Sequence, residues 1–598
     1  MVCVSRPRGN GRCRCVIRNR VKYQSDIRRE IILVRILESH LKEGKNPAEC
    51  SLCSTYKTFF SGVEKFRSMW ARLYLSALVL YLPLIVLSLT NDMDGMWDQD
   101  DHVTGVAELR MGRWFWPMLD KLRLNISLDP LPAVLALAIF SCGILFLFSI
   151  LRADLTDKRG KVTAWLAGMM ILVSPSLLCQ LSYSHMSIND AVSFFCAILA
   201  VWLLQREKCR KKDMALSAMF VALMMGGYQA SLGITCVTAL LCFLLLLEQE
   251  EEIKKALSFA GKILFSLAVG AVLYEVFLHL CLFATGETLA DYNGADAITF
   301  SGVIGNLPSS LRHTYTSFQF YFGGAGYQFH VLQGHRWFLV LYFVLAIAVV
   351  WYIGRTLRDK KQKRLLRSIL MAAAFLLLPV FANSFFLLAV SAETMMQMTM
   401  GMALVLPGAL LLLMNSAKVY TKKPNEADGL SKEETLEKKG TIRSFCFWPV
   451  LLAVSAFLLY GEIGQTATDQ YAMYMGRRAS MTLAECALDQ FAASGIDYTE
   501  NVVMVYGNPK ESPLFMTTDL YSRANSYAQY GSFAPGAEGN RLCWSHFFEQ
   551  QLRVNVNYAE GDTLETIYHS PEVAAMPVYP APGSTANVWG VTVMKISD

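Results

Sequence analysis

Apolar stretches, each about the length of a membrane-spanning helix, recur between residues 70 and 463 with charged breaks between them. A helix that crosses the hydrocarbon core of a bilayer needs about 20 mostly apolar residues. This criterion predicts about eleven transmembrane helices, at residues 70–90, 131–151, 162–181, 189–205, 214–228, 231–247, 259–283, 336–354, 369–390, 398–414 and 445–463. The run from 214 to 247 is too long for one span, so Gly226-Gly227-Tyr228-Gln229 is interpreted as a tight turn between two helices.

The distribution of lysine and arginine over the breaks predicts the orientation. The breaks after alternate helices, beginning with the second, hold 25 of these residues, whereas the opposite breaks hold six when Arg336, the first residue of the eighth span, is counted with them. Basic residues accumulate in cytoplasmic loops, so we expect the basic loops and the N-terminus to be cytoplasmic. The first apolar run begins near Met69, too far along the chain for a signal peptide, and we expect the first helix to be retained. An odd number of helices then places the C-terminus outside.

The pattern outside the helices divides the chain into three parts. Residues 1–69 form a basic cytoplasmic arm, and residues 70–463 form the membrane domain, with long outer loops at 91–130 and 284–335. Both loops have aromatic residues at helical spacing, which predicts helices along the membrane interface. Residues 464–598 contain strand-like segments at 501–506 and 587–595 around a helical stretch at 543–555. The predicted fold class is an all-α polytopic membrane protein with a small C-terminal extracytoplasmic α/β domain.

Composition agrees with a lipid-embedded chain, because 54% of the residues are hydrophobic and only 17% are charged. Seven of the fifteen cysteines fall in the predicted apolar spans, where thiols behave as small hydrophobic groups. The spacing of Cys13-x-Cys15 is too close for the usual zinc-binding pair, and no metal site is predicted. Cys486 and Cys543 follow the last predicted helix, and the sequence leaves open whether they form a disulfide.

The outer loop after the first helix has the densest group of candidate catalytic residues. Five carboxylates lie between Asn91 and His102, and Arg113 follows them. One interpretation is a solvated helix end. The other is that one carboxylate acts as a general base on a hydroxyl nucleophile while Arg113 pairs with a phosphate leaving group. The residues alone leave both interpretations open.

Short motifs in a consistent order favour the second interpretation. They are Asn91 with Asp94-Gly95, Gly112-Arg113-Trp114, Asn189-Asp190, Tyr228-Gln229-Ala230, Asp469-Gln470-Tyr471 and Pro577-Val-Tyr-Pro580. Over about residues 70–598 the chain resembles the bacterial serotype-converting glucosyl transferase II family, which consists of GT-C membrane glycosyltransferases. The acidic run holds more carboxylates than the family pattern needs, so the resemblance does not single out the base.

The resemblance implies a glycosyltransferase that moves a sugar, usually glucose, from a polyprenyl-phosphate carrier to a surface glycan such as O-antigen. It implies inverting displacement at the outer face of a bacterial cytoplasmic membrane. The implied partners are the lipid-linked donor, the glycan acceptor and membrane lipid, with no nucleic acid. No cofactor is expected, and assistance of the acidic cluster by a divalent metal stays open.

Candidate site residues follow from the motifs and from their positions at the outer face. Asp94 is the first choice as general base, followed by Asp92, Asp100 and Asp101. The candidate substrate-binding residues are Arg113, Trp114, Asp190, Tyr228, Gln229 and Glu393. Asp190 has the alternative role of a helix N-cap. Glu275 and His279, one helical turn apart, are expected either to line a cavity or to form a buried pair.

Two other classes of protein compete with the enzyme. A transporter or flippase of lipid-linked sugars would also be polytopic, but such folds usually show inverted repeats and ionisable groups near the membrane midplane. No internal repeat is evident, and the acidic cluster lies in a predicted outer loop and not near the midplane. A structural scaffold in the membrane would leave the acidic loop unexplained.

Overall fold

The fold is almost entirely helical, with one small β-sheet near the C-terminus. A computed structural model describes residues 51–90, 106–122, 130–206, 209–249, 252–290, 304–323, 347, 350, 351, 354, 364–389, 394–418, 433–531, 533 and 536–598. Contacts separate the chain into two compact units, Met1–Ser68 and Met69–Asp598. The C-terminal sheet belongs to the second unit together with the helices that precede it.

The helices of the first half have the following bounds: α1 Ser51–Leu80, α2 Leu82–Val86, α3 Val106–Arg110, α4 Trp116–Leu122, α5 Leu131–Ile150, α6 Lys158–Leu172, α7 Pro175–Ser182, α8 Ser187–Gln205, α9 Lys211–Gly227, α10 Leu232–Gln249 and α11 Ile253–Thr285. Side chains cap two of them, since Asp157 accepts a hydrogen bond from Gly160 and Ser174 accepts one from Leu177. Pro175 at the start of α7 ends the preceding helical run, because the residue before a proline is disfavoured in the α conformation.

The second half continues with α12 Leu307–Gly323, α13 Arg364–Ala382, α14 Met400–Ala403, α15 Val405–Lys418, α16 Glu433–Ala493, β1 Val503–Tyr506, α17 Asp519–Ser522, α18 Ala537–His546, α19 Gly561–Tyr568, α20 Pro571–Ala575, β2 Thr585–Val588 and β3 Val591–Lys595. Single 3₁₀ turns at Gln229–Ser231, Ser384–Leu387 and Met396–Thr399 join helices of the bundle. One apolar core runs through the helices, and a second lies between the end of α16 and the sheet.

Seven helices in the described part of the chain are long and apolar enough to cross a membrane, and the number is eight if the bent pair α6 and α7 is counted as one span. The pair bends by 49° at its break. The predicted spans at 70–90 and 214–228 coincide with helices that this criterion does not select, and the span at 336–354 lies mostly outside the described residues. The chain is therefore a helical membrane protein, and the count of eleven spans stays a prediction.

The predicted turn between two helices is confirmed. Helix α9 ends at Gly227, Tyr228 is extended, and α10 begins after a 3₁₀ turn. A Cβ atom at Gly227 would lie 2.2 Å from the hydroxyl oxygen of Ser193, so only glycine allows α9 to approach α8 this closely.

The sheet has the strand order β1-β3-β2, with β1 parallel and β2 antiparallel to β3. The predicted single strand at 587–595 is wrong, because Trp589 and Gly590 turn the chain between β2 and β3. Both residues have positive φ angles, 50° and 92°, as expected in a tight hairpin turn. The strand at 501–506 and the helical stretch near 543–555 are present as β1 and α18, and a π-helical turn follows α18.

Cys486 and Cys543 are not joined to each other, so the disulfide considered from the sequence is not formed. Cys543 is fully buried on α18 and packs in the apolar core between α16 and the sheet. Its side chain therefore acts as a small hydrophobic group there.

The side chains of Asp469 and Gln470 on α16 join parts of the fold that are distant in sequence. Asp469 accepts hydrogen bonds from Gln465 at 2.8 Å, from the amide and side chain of Asn525 at 2.9 and 2.7 Å, and from Tyr527 at 2.7 Å. Gln470 accepts from the Leu84 amide at 3.0 Å. This motif therefore has a structural role between α16, the first helices and the C-terminal residues.

Candidate functional site

The predicted catalytic carboxylates Asp92, Asp94, Asp100 and Asp101 lie outside the described residues, as does Glu393. Their roles stay predictions. The other predicted site residues are described, and they lie where the segment 106–122 meets α8, α9 and the turn after α9.

A sharp turn at Gly112 separates α3 from α4 and carries Arg113. Gly112 has a φ of +82°, and a Cβ atom there would lie 2.7 Å from the Tyr274 hydroxyl and 2.9 Å from Gln229. Both of these side chains hold the turn, because Gln229 donates to the Met111 carbonyl at 3.0 Å and Tyr274 donates to the Gly112 carbonyl at 3.0 Å. Gln229 thus positions Arg113 through the backbone, while its predicted contact with substrate stays a prediction.

The side chain of Trp114 packs the same segment against the helix bundle. Its side chain is 3% exposed, and its ring lies 5.0 Å from the ring of Phe277. The Phe115 amide donates to the Gly226 carbonyl at 2.9 Å. The single helix predicted over this loop is therefore wrong for residues 106–122, which form two short helices packed against the bundle, and its place at the membrane interface stays a prediction. Substrate binding by Trp114 itself stays a prediction.

Arg113 is buried, with 8% of its side chain exposed, between two aromatic rings. Its guanidinium carbon lies 5.0 Å from the centre of the Trp116 ring and 5.4 Å from that of Tyr228. Such contacts stabilise a guanidinium away from water. Its Nε–H has no hydrogen-bond partner in the part of the chain that the structure describes. The group can therefore still donate to an anionic ligand such as a phosphate.

Asp190 lies in the first turn of α8 and does not cap it. The N-cap residue is Met186, whose carbonyl accepts from the Asp190 amide at 2.9 Å, so the N-cap interpretation is wrong. Asp190 is 1% exposed, and neither carboxylate oxygen has a hydrogen-bond partner among the described residues. Arg113 is the basic side chain that interacts electrostatically with it, without a direct ion pair.

Asn189 and Asp120 complete this polar group, and sequence reasoning did not assign Asp120 to the site. Asn189 donates through Nδ2 to Asp120 Oδ1 at 3.2 Å, and both side chains are buried. Asp120 follows Trp116 by one helical turn on α4, which is the sequence signal that could have placed it beside Arg113. Among the described residues, the carbonyl oxygen of the Asn189 side chain accepts no hydrogen bond.

Glu275 and His279 on α11 do not belong to this group. Their side chains lie 3.7 Å apart and are 60% and 70% exposed, so the predicted buried pair is wrong. They lie in a shallow open groove with Val272, Val276 and Leu280. Over the described ranges, no group of three or more histidine, cysteine or acidic side chains is arranged to hold a metal ion.

Comparison with known proteins identifies the family of the chain. A family model described as glucosyl transferase GtrII matches residues 84–407, which is more than half of the chain. The matched region includes Arg113, Asp190 and Tyr228. No curated protein and no solved structure matches the chain.

Proposed function

This chain belongs to the glucosyl transferase GtrII family, and we propose that it moves glucose from a polyprenyl-phosphate carrier to a cell-surface glycan at the outer face of the membrane. The observation that supports this most is Arg113, a buried guanidinium between two aromatic rings with an unused donor. A lipid-linked donor brings an anionic phosphate for this group and an apolar tail for the helices. The proposed donor, acceptor glycan and surrounding lipid are the partners of the enzyme.

In the proposed reaction, a hydroxyl oxygen of the acceptor attacks the anomeric carbon of the donor sugar. The bond from that carbon to the phosphate oxygen breaks, and polyprenyl phosphate leaves with the electron pair. The acceptor proton passes to a carboxylate of the outer loop, for which Asp94 is the first choice and Asp92, Asp100 and Asp101 are the alternatives. Arg113 stabilises the negative charge that develops on the leaving phosphate.

The proposed orientation places the basic N-terminal arm, residues 1–69, in the cytoplasm and residues 464–598 outside. A reporter fused after Lys360 should be cytoplasmic, and one fused after Asp598 should be external. Finding both reporters on one side would refute the eleven-helix topology.

The direct test uses purified protein in lipid nanodiscs with polyprenyl-phosphoglucose labelled in the sugar. We expect label to leave the lipid and to appear in added surface glycan. Replacing Arg113 with alanine should reduce the rate by about 10²–10³-fold, as for the loss of one transition-state donor. Lysine should restore little of it, because an ammonium does not reproduce the guanidinium fork.

Arg478 provides the matched control, since its guanidinium also stacks on an aromatic ring, 6.0 Å from Tyr474, but at an exposed position. Arg478→Lys should transfer glucose at the normal rate. Normal transfer by both Arg113 variants would remove Arg113 from the site. Movement of the intact labelled lipid across a vesicle membrane without sugar release would instead support the flippase.

The base is tested separately with Asp94→Asn, which keeps the shape of the side chain but cannot accept the proton. Transfer should fall by about 10²–10⁴-fold while donor binding stays unchanged. Asp100→Asn and Asp101→Asn are the controls, and they should cost far less. Normal turnover by Asp94→Asn together with an inactive Asp92→Asn would move the base to Asp92.

A further inference from the structure

Three acceptor oxygens on the first turn of α8 have no donor anywhere in the described part of the chain. They are both carboxylate oxygens of Asp190 and the amide oxygen of Asn189. The two side chains are 1% and 0% exposed. Buried acceptors without partners are costly and rare, and several of them on one turn indicate a place where a ligand supplies the donors.

The orientation of the Asn189 amide is fixed by its neighbour. A carboxylate only accepts hydrogen bonds, so the nitrogen of Asn189 must face Asp120, to which it donates at 3.2 Å. The oxygen therefore points elsewhere and stays available. Asp120 and Arg113 both belong to the segment 106–122, so Asn189 and Asp190 face the same segment that carries the buried guanidinium.

The chemistry of the group favours a neutral ligand with several donors over a metal ion. Arg113 already supplies a positive charge near Asp190, which opposes the binding of a divalent cation. A cation site would also need further oxygen ligands, and the described residues provide no such cluster of acidic, histidine or cysteine side chains. A hexose offers several hydroxyl donors, which match a row of buried acceptors.

We propose that Asn189 and Asp190 form the subsite for the hydroxyl groups of the donor sugar, beside the phosphate held by Arg113. This inference rests on the proposed function and assigns the two halves of the donor to two parts of the site. Arg113 binds the part that every polyprenyl phosphate shares, and α8 recognises the sugar attached to it. Asp190 is accordingly a substrate-binding residue, distinct from the base that takes the acceptor proton.

The test compares the binding of polyprenyl phosphate and of polyprenyl-phosphoglucose to the intact protein in nanodiscs. Asp190→Asn should weaken binding of the glucosylated lipid by about 10- to 100-fold, the usual loss for a charged hydrogen bond, and leave polyprenyl phosphate binding unchanged. Arg113→Ala should weaken both lipids. The control is Asp213→Asn, because Asp213 is also a buried carboxylate but accepts from the Arg210 amide at the other end of the bundle.

Two further readouts separate sugar binding from a structural role. Because neither oxygen of Asp190 has a partner, Asp190→Asn should unfold at the same or a higher temperature than the natural protein, and a clear loss of stability would overturn the proposal. A set of donors with each sugar hydroxyl removed in turn should include at least one that binds the natural protein weakly. That donor should bind natural protein and Asp190→Asn equally well.

The other possible results of these binding and transfer experiments would each overturn a different part of the proposal. Equal weakening of both lipids by Asp190→Asn would show that Asp190 supports the phosphate, and unchanged binding with lost transfer would show that it acts on the acceptor. Loss of donor binding on addition of a chelator, in the natural protein but not in Asp190→Asn, would identify a metal site. Failure of the natural protein to distinguish the two lipids, with no transfer, would refute the proposed function itself.

Discussion

The contact between Gly226 and Trp114 gives a prediction that links packing to activity. A Cβ atom added at Gly226 would lie 2.5, 2.7 and 2.9 Å from three atoms of the Trp114 ring. Real Cβ atoms do not approach other atoms this closely, so Gly226→Ala must displace the ring or the helix. Trp114 follows Arg113 directly in sequence, and its displacement will move the guanidinium.

Two opposing effects set the size of the change in stability. Alanine is favoured over glycine in a helix by about 1 kcal/mol. Inserting a methyl group into a packed interior costs about 1–3 kcal/mol. The ring cannot move away cheaply, because it is 3% exposed and lies against Phe277. We therefore expect the steric term to exceed the propensity gain and to give a net loss of about 1–2 kcal/mol in the free energy of unfolding.

The effect on transfer should be larger than the effect on stability. A displacement of the order of 1 Å at a positioned group can lower a rate by about 10²-fold. The assay measures glucose transfer and thermal unfolding of the same nanodisc preparations. Gly261→Ala is the matched control, since a Cβ atom at this exposed position on α11 meets no atom within 4 Å of it. This control should keep full activity and equal or slightly higher stability.

Equal activity and stability in Gly226→Ala and Gly261→Ala would refute the reasoning. It would mean that the packing of α9 against Trp114 does not hold Arg113 in place. Loss of stability with normal transfer would show that the ring position matters for folding and not for the guanidinium.

Two predictions concern the C-terminal residues. Asp469→Asn should lower the free energy of unfolding by about 2–4 kcal/mol, because the amide nitrogen would present a donor to a site that already has four donors. The control is Asp489→Asn at an exposed position on the same helix, which should change the free energy of unfolding by less than about 0.5 kcal/mol. Equal melting temperatures for the two variants would contradict the structural role of Asp469. The hydrogen bond from Arg541 lowers the pKa of Glu538 below its usual value of 4.5, so its stabilising contribution is present above that pH and is lost as the pH falls through the lowered pKa. Glu538→Gln should therefore lower stability at pH 6 by at most about 1 kcal/mol, and the loss should shrink as the pH falls through the lowered pKa; a loss that does not change with pH would exclude the ion pair as its cause.

Local pattern predicted the long helices between residues 131 and 285 to within a few residues, because lipid burial requires long apolar stretches. It did not predict that α16 continues to Ala493, beyond the predicted end at 463. It also predicted the turn at Gly226-Gly227, where length excluded a single span. It failed for the outer loop at 106–122, where aromatic spacing indicated one interfacial helix. The positive φ of Gly112 breaks that helix and turns Trp114 into the bundle, and a single sequence does not reveal such a turn.

Of the site, the sequence predicted the residues within motifs but not their partners. Arg113, Asp190 and Tyr228 were all selected, and the structure brings them together. The hydrogen bond between Asn189 and Asp120 joins residues 69 positions apart, so it depends on how α4 packs on α8. No local pattern encodes that packing.

Helix α16 couples the orientation of the C-terminal sheet to that of the first helices. It runs without interruption for 61 residues, about 90 Å, whereas the hydrocarbon core is about 30 Å thick. Gln470 fixes the rotation of this helix against the first helices, and Leu483 is buried in the apolar core that α16 shares with the C-terminal sheet. Each residue inserted between them would rotate the sheet by about 100°, so insertions of about seven or about eleven residues, close to two or three full turns, would preserve the phase, whereas an insertion of one or two residues would not. The length of this stretch is therefore constrained by helical phase, independently of the chemistry of its side chains.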